Sequence, residues 1–411
     1  MTQSKHILVN ALSVSSGGGF TVCRELVRGL AFARPAWKFT VVMTDGSAFH
    51  EPMKREAFGP NVGFLWAPAK TAKVASRLLY ENFALVKWAR VNSVNAVLQL
   101  NGQKIARMHL PTISHAQDPV PYLPRMWSGS NWTGVRGLKA KFGAMLRRKA
   151  IRGALKHADC MGFTSEYLRD LICDWEKITP KRSEVFYNAV PEDWCSRQDS
   201  QMPSLASRPM QVLTVSDVTP HKRQHLIAEA VCQLRREKGF ENITYRVVGR
   251  IFDAPYAERI NQMGRAIRVD GGGAGGAGGT NAAAGSDGQY EKPVVEMVGR
   301  LSGDDLAAAF MGARCFAFMS VCESFGIPPL EAMSFGTPVV SSDCCAMPEV
   351  LGDAAAFVPM DDAEKLKEVL RRVLTDDAMA GEMRKKGFER FREFRWGETV
   401  KKMARVFDSI G

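Results

Sequence analysis

An α/β protein of two doubly wound parallel sheets facing a central cleft is predicted by three features of the sequence. Short apolar runs alternate with amphipathic helical patterns along almost the whole chain, and that alternation builds parallel sheets covered on both faces by helices. A polar, Pro- and Ser-rich stretch, CSRQDSQMPSLASRPM, interrupts the alternation near the middle and reads as a linker over 195–209. The 411 residues, with ordinary globular composition, suffice for two cores, one in residues 1–194 and one in 210–394.

In the first half, HILVNALSV is an apolar strand and SSGGGF a glycine turn before the helical pattern TVCRELVRGLAFA. Glycines in such a turn let backbone amides approach an anion, which makes Gly17, Gly18 and Gly19 candidates to line the cleft; a tight turn alone would also select them. WKFTVVMT, VGFLWAP, NAVLQLNG and LPTISHAQD read as further strands, with a helical pattern around Ser76 to Val91. His115 stands just past a strand end, followed by Asp118, which a turn start alone would also select. From 124 to 157 there are nine Lys or Arg and no acid: Arg125, Arg136, Lys139, Lys141, Arg147, Arg148, Lys149, Arg152 and Lys156, interleaved with Trp127, Trp132, Phe142, Met145 and Leu146. Charge runs are usually solvated faces, but one of this length with aromatic neighbours also fits a surface resting on anionic lipid, so residues 124–158 are expected to meet a membrane.

The second half opens with MQVLTVSDVTPHKRQHLIAEAVCQL, a strand, a turn and an amphipathic helix with Lys222 and Arg223 at its entrance. Cations there would stabilise negative charge on a ligand, although an exposed helix start is the plain alternative. NITYRVVGR is the next strand, ending at Gly249, and a helix is expected from Tyr256 to Val269. The Gly- and Ala-rich run at 271–288 buries too little apolar area to offset its ordering entropy and reads as a flexible insertion. The most informative stretch is CFAFMSVCESFGIPPLEAMSFGTPVVSSDCCAMPE, from Cys315 to Glu349. CFAFM is a buried strand, VCESFG a loop, PPLEAMSF a helix with prolines where the first turn tolerates them, and PVV the next strand. In a parallel sheet the loop SFGI then lies outside the carboxyl end of a strand, where loop amides and helix N-termini hold anions. Glu323 in the loop and Glu331 one turn into the helix, eight positions apart, face one cleft, one to meet a sugar and the other a ribose. Taken singly, each carboxylate has an unremarkable reading, as a solvated loop acid and a macrodipole partner.

Composition narrows the function classes. The nine cysteines are odd in number and have no CxxC spacing, which suits reduced thiols better than disulfides or zinc, and no metal site is expected. No run is long enough to span a bilayer, and Asn10 interrupts the only stretch resembling a signal peptide, so a cytoplasmic protein is expected. The excess of 55 Lys and Arg over 43 Asp and Glu gives a net charge of +12 and points to an acidic partner: phosphates, anionic lipid or nucleic acid.

The stretch ESFGIPPLE followed by AMSFGTPVV, and onward through MPEVLGDAAAFVPMDD, resembles the E-x7-E signature of retaining GT-B glycosyltransferases, sequence family 4 (glycosyl transferases group 1). The resemblance covers nearly the whole chain and is strongest from Leu213 to Pro359. It implies a GT-B fold in which 1–194 binds the acceptor, 210–394 binds a nucleotide-sugar donor, and the tail 395–411 packs back on the first domain. It also implies retention at the anomeric carbon without metal or other cofactor, the nucleotide sugar being a co-substrate. Glu323, His115 and Lys222 would then be the catalytic group. Glu331 would hold ribose, and Arg223, Ser324, Phe325, Gly326, Ile327 and the glycines 17–19 would complete the donor site. Ser165 and Asn188 match the family's strand-end serine and its asparagine turn. The family's usual wording has an arginine five positions before the lysine, and here Asp217 stands in that place, so another cation must serve or phosphate binding weakens. The expected acceptor is a glycan or lipid-linked glycan of surface-polysaccharide or lipopolysaccharide assembly, met at the inner face of the membrane, with no nucleic acid involved. Alternatives are a GT-B epimerase or phosphorylase, or a non-catalytic basic membrane- or glycan-binding protein with a decayed donor site.

Overall fold

A computed structural model describes residues 4–14, 17–48, 50–55, 58–123, 134–195, 200, 202–265 and 293–410. Its frame is two wholly parallel sheets. The first has strands β1 (His6–Asn10), β2 (Lys38–Thr44), β3 (Val62–Ala67), β4 (Ala96–Gln99), β5 (Thr112–Ala116), β6 (Cys160–Phe163) and β7 (Ser183–Val185), in the order β3-β2-β1-β4-β5-β6-β7. The second has β8 (Gln211–Val215), β9 (Thr244–Val248), β10 (Val295–Gly299), β11 (Cys315–Phe318), β12 (Val339–Ser342) and β13 (Ala355–Val358), in the order β10-β9-β8-β11-β12-β13. Each sheet starts in its middle, winds to one edge, then returns to build the other, so the strand order reverses between β1 and β4 and again between β8 and β11. The crevices at those points, outside the carboxyl ends of the strands, are where ligands bind in such sheets. The central strands are buried along their whole length, as helices on both faces require. The doubly wound α/β reading of both halves is thus correct.

Local differences from the expectations have identifiable causes. The glycine turn is shorter than predicted: a helix begins at Gly17 and runs to Ala33, so Gly17, Gly18 and Gly19 form its first turn. The helical pattern around residues 76–91 contains a π-turn, Tyr80–Leu85, between α-helical pieces Val74–Leu79 and Val86–Val91. That turn carries the buried Glu81, which accepts a 2.7 Å hydrogen bond from Asn10 Nδ2 at the end of β1. Burial raises the Glu81 carboxyl above its ordinary range. The helix expected from Tyr256 runs from Ala254 to Arg265, and the insertion at 271–288 lies outside the described residues.

The two halves are tied together. The connecting stretch is anchored by Trp194, edge-on to Phe335 at 4.8 Å, and by buried Arg208, which donates to the carbonyls of Ala313 and Phe335 and to Thr337 Oγ1. The helix Trp396–Ile410 lies on the first domain: Lys5 Nζ donates to Phe407 O at 2.6 Å, Thr399 Oγ1 to Tyr187 O at 2.6 Å, and Arg34 pairs with Asp408 at 2.7 Å. Its buried face, Val400, Met403, Ala404 and Phe407, joins the core around β1 and the helix Gly17–Ala33.

Candidate active site

Three loops meet at the reversal point of the second sheet. After β8 the chain passes Ser216 and Asp217 into a 3₁₀ turn, Pro220–Lys222; Arg223 then takes a left-handed conformation, φ 55°, before the helix Gln224–Leu234. Such a conformation costs a non-glycine residue on the order of 1–3 kcal/mol and is held by its surroundings. Here it sends neighbouring cations in different directions: Lys222 Nζ donates to Glu323 Oε1, while Arg223 pairs with Asp361. After β11 the chain runs through Met319–Gly326 into the helix Ile327–Ser334, and Val321 N donates to His221 O at 3.0 Å, stitching this loop to the 3₁₀ turn. The third loop follows β9.

Lys222 and Glu323, singled out separately from the sequence, are therefore in direct ionic contact, with side chains 17% and 13% exposed. The ammonium also lies 5.4 Å from the Phe318 ring centroid. Gly326 caps the helix start with φ +85°, a conformation that favours glycine, and a Cβ there would also displace the tip of Met347, 2.4 Å away at Cε. The next helical residues are Ile327, Pro328 and Pro329; since proline has no N–H, the helix start offers few amides to an anion, chiefly those of Gly326 and Ile327. Glu331, one turn in and half-buried, has its carboxyl pushed up to about 7 by burial.

Loop and first domain are fastened to each other. The Ser324 carbonyl accepts from Thr164 Oγ1 at 3.1 Å and from Ser165 Oγ at 2.6 Å; Ser165 also caps the helix Glu166–Glu176 by accepting from Leu168 N. From the second domain, Glu349 reaches the same helix start, where its carboxylate accepts from Glu166 N and Tyr167 N, both at 2.7 Å, and from Tyr187 Oη at 2.9 Å. A carboxylate at a helix N-terminus gains from both amides and macrodipole. Neither Thr164 nor a role for Glu349 was legible in the sequence, because both contacts join residues about 160–180 positions apart.

Two expected site residues are placed otherwise. His115 is fully enclosed in β5, edge-on to Phe186 at 5.8 Å, with Gly162 against its Nδ1; burial drives its pKa down to about 4, so it is neutral and has no face on the cleft. The first residue past the strand is Gln117, whose Nε2 donates to Leu100 O. Phe325 packs edge-on to Phe394 at 5.3 Å and against Tyr187 at 6.1 Å, leaving only its backbone for a ligand. Asp118 pairs with Arg147 at 2.9 Å, and Asn188 is buried. Gly18 is exposed, with nothing within 4 Å of where a Cβ would stand. Of the basic stretch, the helix Gly134–His157 is described: Arg152 pairs with Glu176 and Arg148 lies over Trp175, while Leu138, Phe142, Met145 and Leu146 are exposed beside Lys141 and Lys149. Arg125, Trp127 and Trp132 lie outside the described residues. Among the described residues, no grouping of three or more His, Cys, Asp or Glu is placed to hold a metal ion, and no helix is long and apolar enough to cross a membrane.

Residues 197–390 match the family Glycosyl transferases group 1. The matched stretch is the domain built on the second sheet, a little under half of the chain. Beside that domain, the whole chain takes the GT-B fold: it superposes on sucrose-phosphate synthase from Thermosynechococcus elongatus with TM-score 0.73 at 16% identity, covering 98% of both chains. Superposition on Anabaena HepE, solved in complex with UDP-glucose, gives TM-score 0.67 at 16% identity over 98% of this chain and 99% of that one. In sequence, the chain is 35% identical over 102 residues to the serotype-specific mannosyltransferase WbdA of Escherichia coli, 25% of this chain and 12% of that protein. It is 33% identical over 102 residues to the O-antigen chain mannosyltransferase B of Escherichia coli, 25% of this chain and 27% of the relative. With the phosphatidyl-myo-inositol mannosyltransferase of Mycolicibacterium smegmatis it shares 38% over 90 residues, 21% of this chain and 23% of the relative. The chain thus spans about an eighth to a quarter of the lengths of these relatives.

Proposed function

We propose that this chain transfers a sugar, mannose in the first instance, from a nucleotide-sugar donor to a glycan or lipid-linked acceptor, with retention at the anomeric carbon and without a metal ion. The observation that carries this reading is the Lys222–Glu323 pair, which places a cation and a carboxylate together at the reversal point of a group 1 glycosyltransferase domain. Sugar transfer leaves negative charge on the departing diphosphate and positive charge at the anomeric carbon. In this scheme Lys222 takes the first, helped by the amides of Gly326 and Ile327, and Glu323 steadies the second. Donor entry exchanges their mutual contact for contacts with the two ends of the breaking bond. Glu331 accepts from ribose hydroxyls. The relatives' printed names, O-antigen and phosphatidyl-myo-inositol mannosyltransferases, support mannose and a role in surface-glycan assembly.

The acceptor domain would rest on the inner face of the membrane through the helix Gly134–His157, whose Lys141 and Lys149 flank exposed Phe142, Met145 and Leu146. Each cation near an anionic bilayer contributes on the order of 1 kcal/mol. Two measurements test the reading. Hydrolysis of GDP-mannose and UDP-glucose without acceptor should show slow turnover of the first; turnover of neither, with no binding of either nucleotide, overturns the enzymatic reading. Co-sedimentation with anionic vesicles at low salt should carry down the wild type and lose the variant with Arg147, Arg148, Lys149 and Arg152 changed to Ser. Indifference of the wild type to vesicles would mean a soluble acceptor.

A further inference from the structure

The place where the family's wording has an arginine is filled by Asp217, and this acid does not stand alone. Its Oδ2 accepts a 2.8 Å hydrogen bond from Arg250 Nη2. Arg250 is the second residue past β9, and Asp217 the second past β8, so two adjacent strands deliver the pair to the edge where the loop after β11 arrives from the other side. The two loops are locked in register. Val218 N donates to Arg250 O at 2.8 Å, Val218 and Ile251 form a parallel bridge, and a Cβ on Gly249 would fall 1.9 Å from Ser216 O. No side chain fits at 249, so the approach of these backbones fixes where residue 250 stands. The guanidinium lies 4.9 Å from the Phe252 ring centroid, which braces it from one side.

From this arrangement we infer that Arg250 is the second cation of the donor-diphosphate site, a contribution supplied from β9 and held in place by Asp217; the inference rests on the donor-binding reading above. Three observations carry it. First, the guanidinium is only partly committed to the protein: Nη2 serves Asp217, whereas Nε has no acceptor among the described residues. A structural ion pair a third exposed contributes little and leaves that nitrogen unanswered among the described residues. Second, the side chain is 37% exposed, open enough to meet a ligand. Third, the helix start opposite has prolines at 328 and 329 and offers few amides, and Arg223 is turned away to Asp361, which leaves Lys222 as the other cation aimed at the site among the described residues of these loops. A diphosphate carries more charge than one ammonium and two amides answer. A planar fork suits adjacent phosphate oxygens, and Arg250 is the fork at this edge.

The test is binding of GDP and UDP, each compared with GMP and UMP, by titration calorimetry on the full chain. Wild type should prefer the diphosphates. Arg250→Ala should lose about 10- to 100-fold in affinity for the diphosphate while its affinity for the monophosphate changes less than twofold. Adding Asp217→Arg to that variant, which restores a cation from β8, should recover most of the loss. Arg250→Gln, a milder change, serves if the alanine variant shows a lowered melting temperature. Equal loss for mono- and diphosphate, no loss, or no recovery with Asp217→Arg overturns the assignment of Arg250. Failure of the wild type to bind any of the four nucleotides instead overturns the donor-binding reading itself.

Discussion

The carboxyl edges of the two sheets share one strand order and carry opposite chemistry. At the second sheet the loops hold charges in pairs, Lys222 with Glu323, Arg223 with Asp361 and Arg250 with Asp217. At the first sheet the strand ends carry amides: Asn10 at the end of β1, Gln99 at the end of β4 and Gln117 after β5. Of the acids near them, Glu81 is buried against Asn10 with its pKa raised, and Asp118, two residues past β5, pairs with Arg147. The lesson is that topology supplies a crevice and side chains decide its ligand. Paired charges that can re-partner suit a diphosphate; neutral donors and acceptors suit hydroxyl groups, for which net charge would only add a desolvation cost.

This contrast can be broken by mutation. The largest effect is expected for Glu323→Ala, which should lower kcat about 10²- to 10³-fold with little change in donor KM, as steady-state kinetics will show. Next is the join between the edges. Glu349→Gln weakens two bonds to a helix N-terminus and one to Tyr187; it should lower kcat about tenfold while nucleotide binding to the isolated donor site persists, and calorimetry beside kinetics separates the two. A smaller effect belongs to Glu331. A carboxyl that holds its proton to about 7 when folded, against 4.5 when unfolded, makes stability fall as pH rises from 4.5 to 7, because the unfolded chain releases that proton first. Glu331→Gln should flatten the fall in melting temperature over that window, and it should also abolish a rise in donor affinity between pH 6 and 8 caused by ionisation of the ribose acceptor. The smallest effect lies at the first edge: Glu81→Gln keeps an oxygen for Asn10 Nδ2 and should change unfolding free energy by less than about 1 kcal/mol in a urea melt. A large loss there would mean that the ionised acid serves the acceptor crevice, and the contrast between the edges would fail.

The fold was legible because local patterns agree with it: apolar strand runs, helix starts such as Asp362 before the helix Ala363–Thr375, and glycines past helix ends. The closeness of Glu323, Gly326 and Glu331 was legible because one short loop and helix carries all three. The side-chain directions of His115 and Phe325 were not legible, for one physical reason. Both stand beside a strand end or loop, yet pleat and loop direction decide whether a side chain meets the cleft or the core, and single residues do not encode that. Arg250 left a signal that could have been taken, a cation directly after glycine at the end of a parallel strand. Glu349 left none, since its value depends on amides of a helix in the other domain.

The helix Trp396–Ile410 closes the first domain with contacts up to 402 positions apart along the chain. A ribosome adding about 5–20 residues per second would need roughly 10–40 s between finishing β7 and reaching this helix. Throughout that interval the carbonyls of Val185 and Tyr187 lack the partners that Lys402 and Thr399 later provide, and the seat of Val400, Met403 and Phe407 is bare. The domain that emerges first is therefore the one completed last, and it waits as an open apolar surface for the second domain to be made.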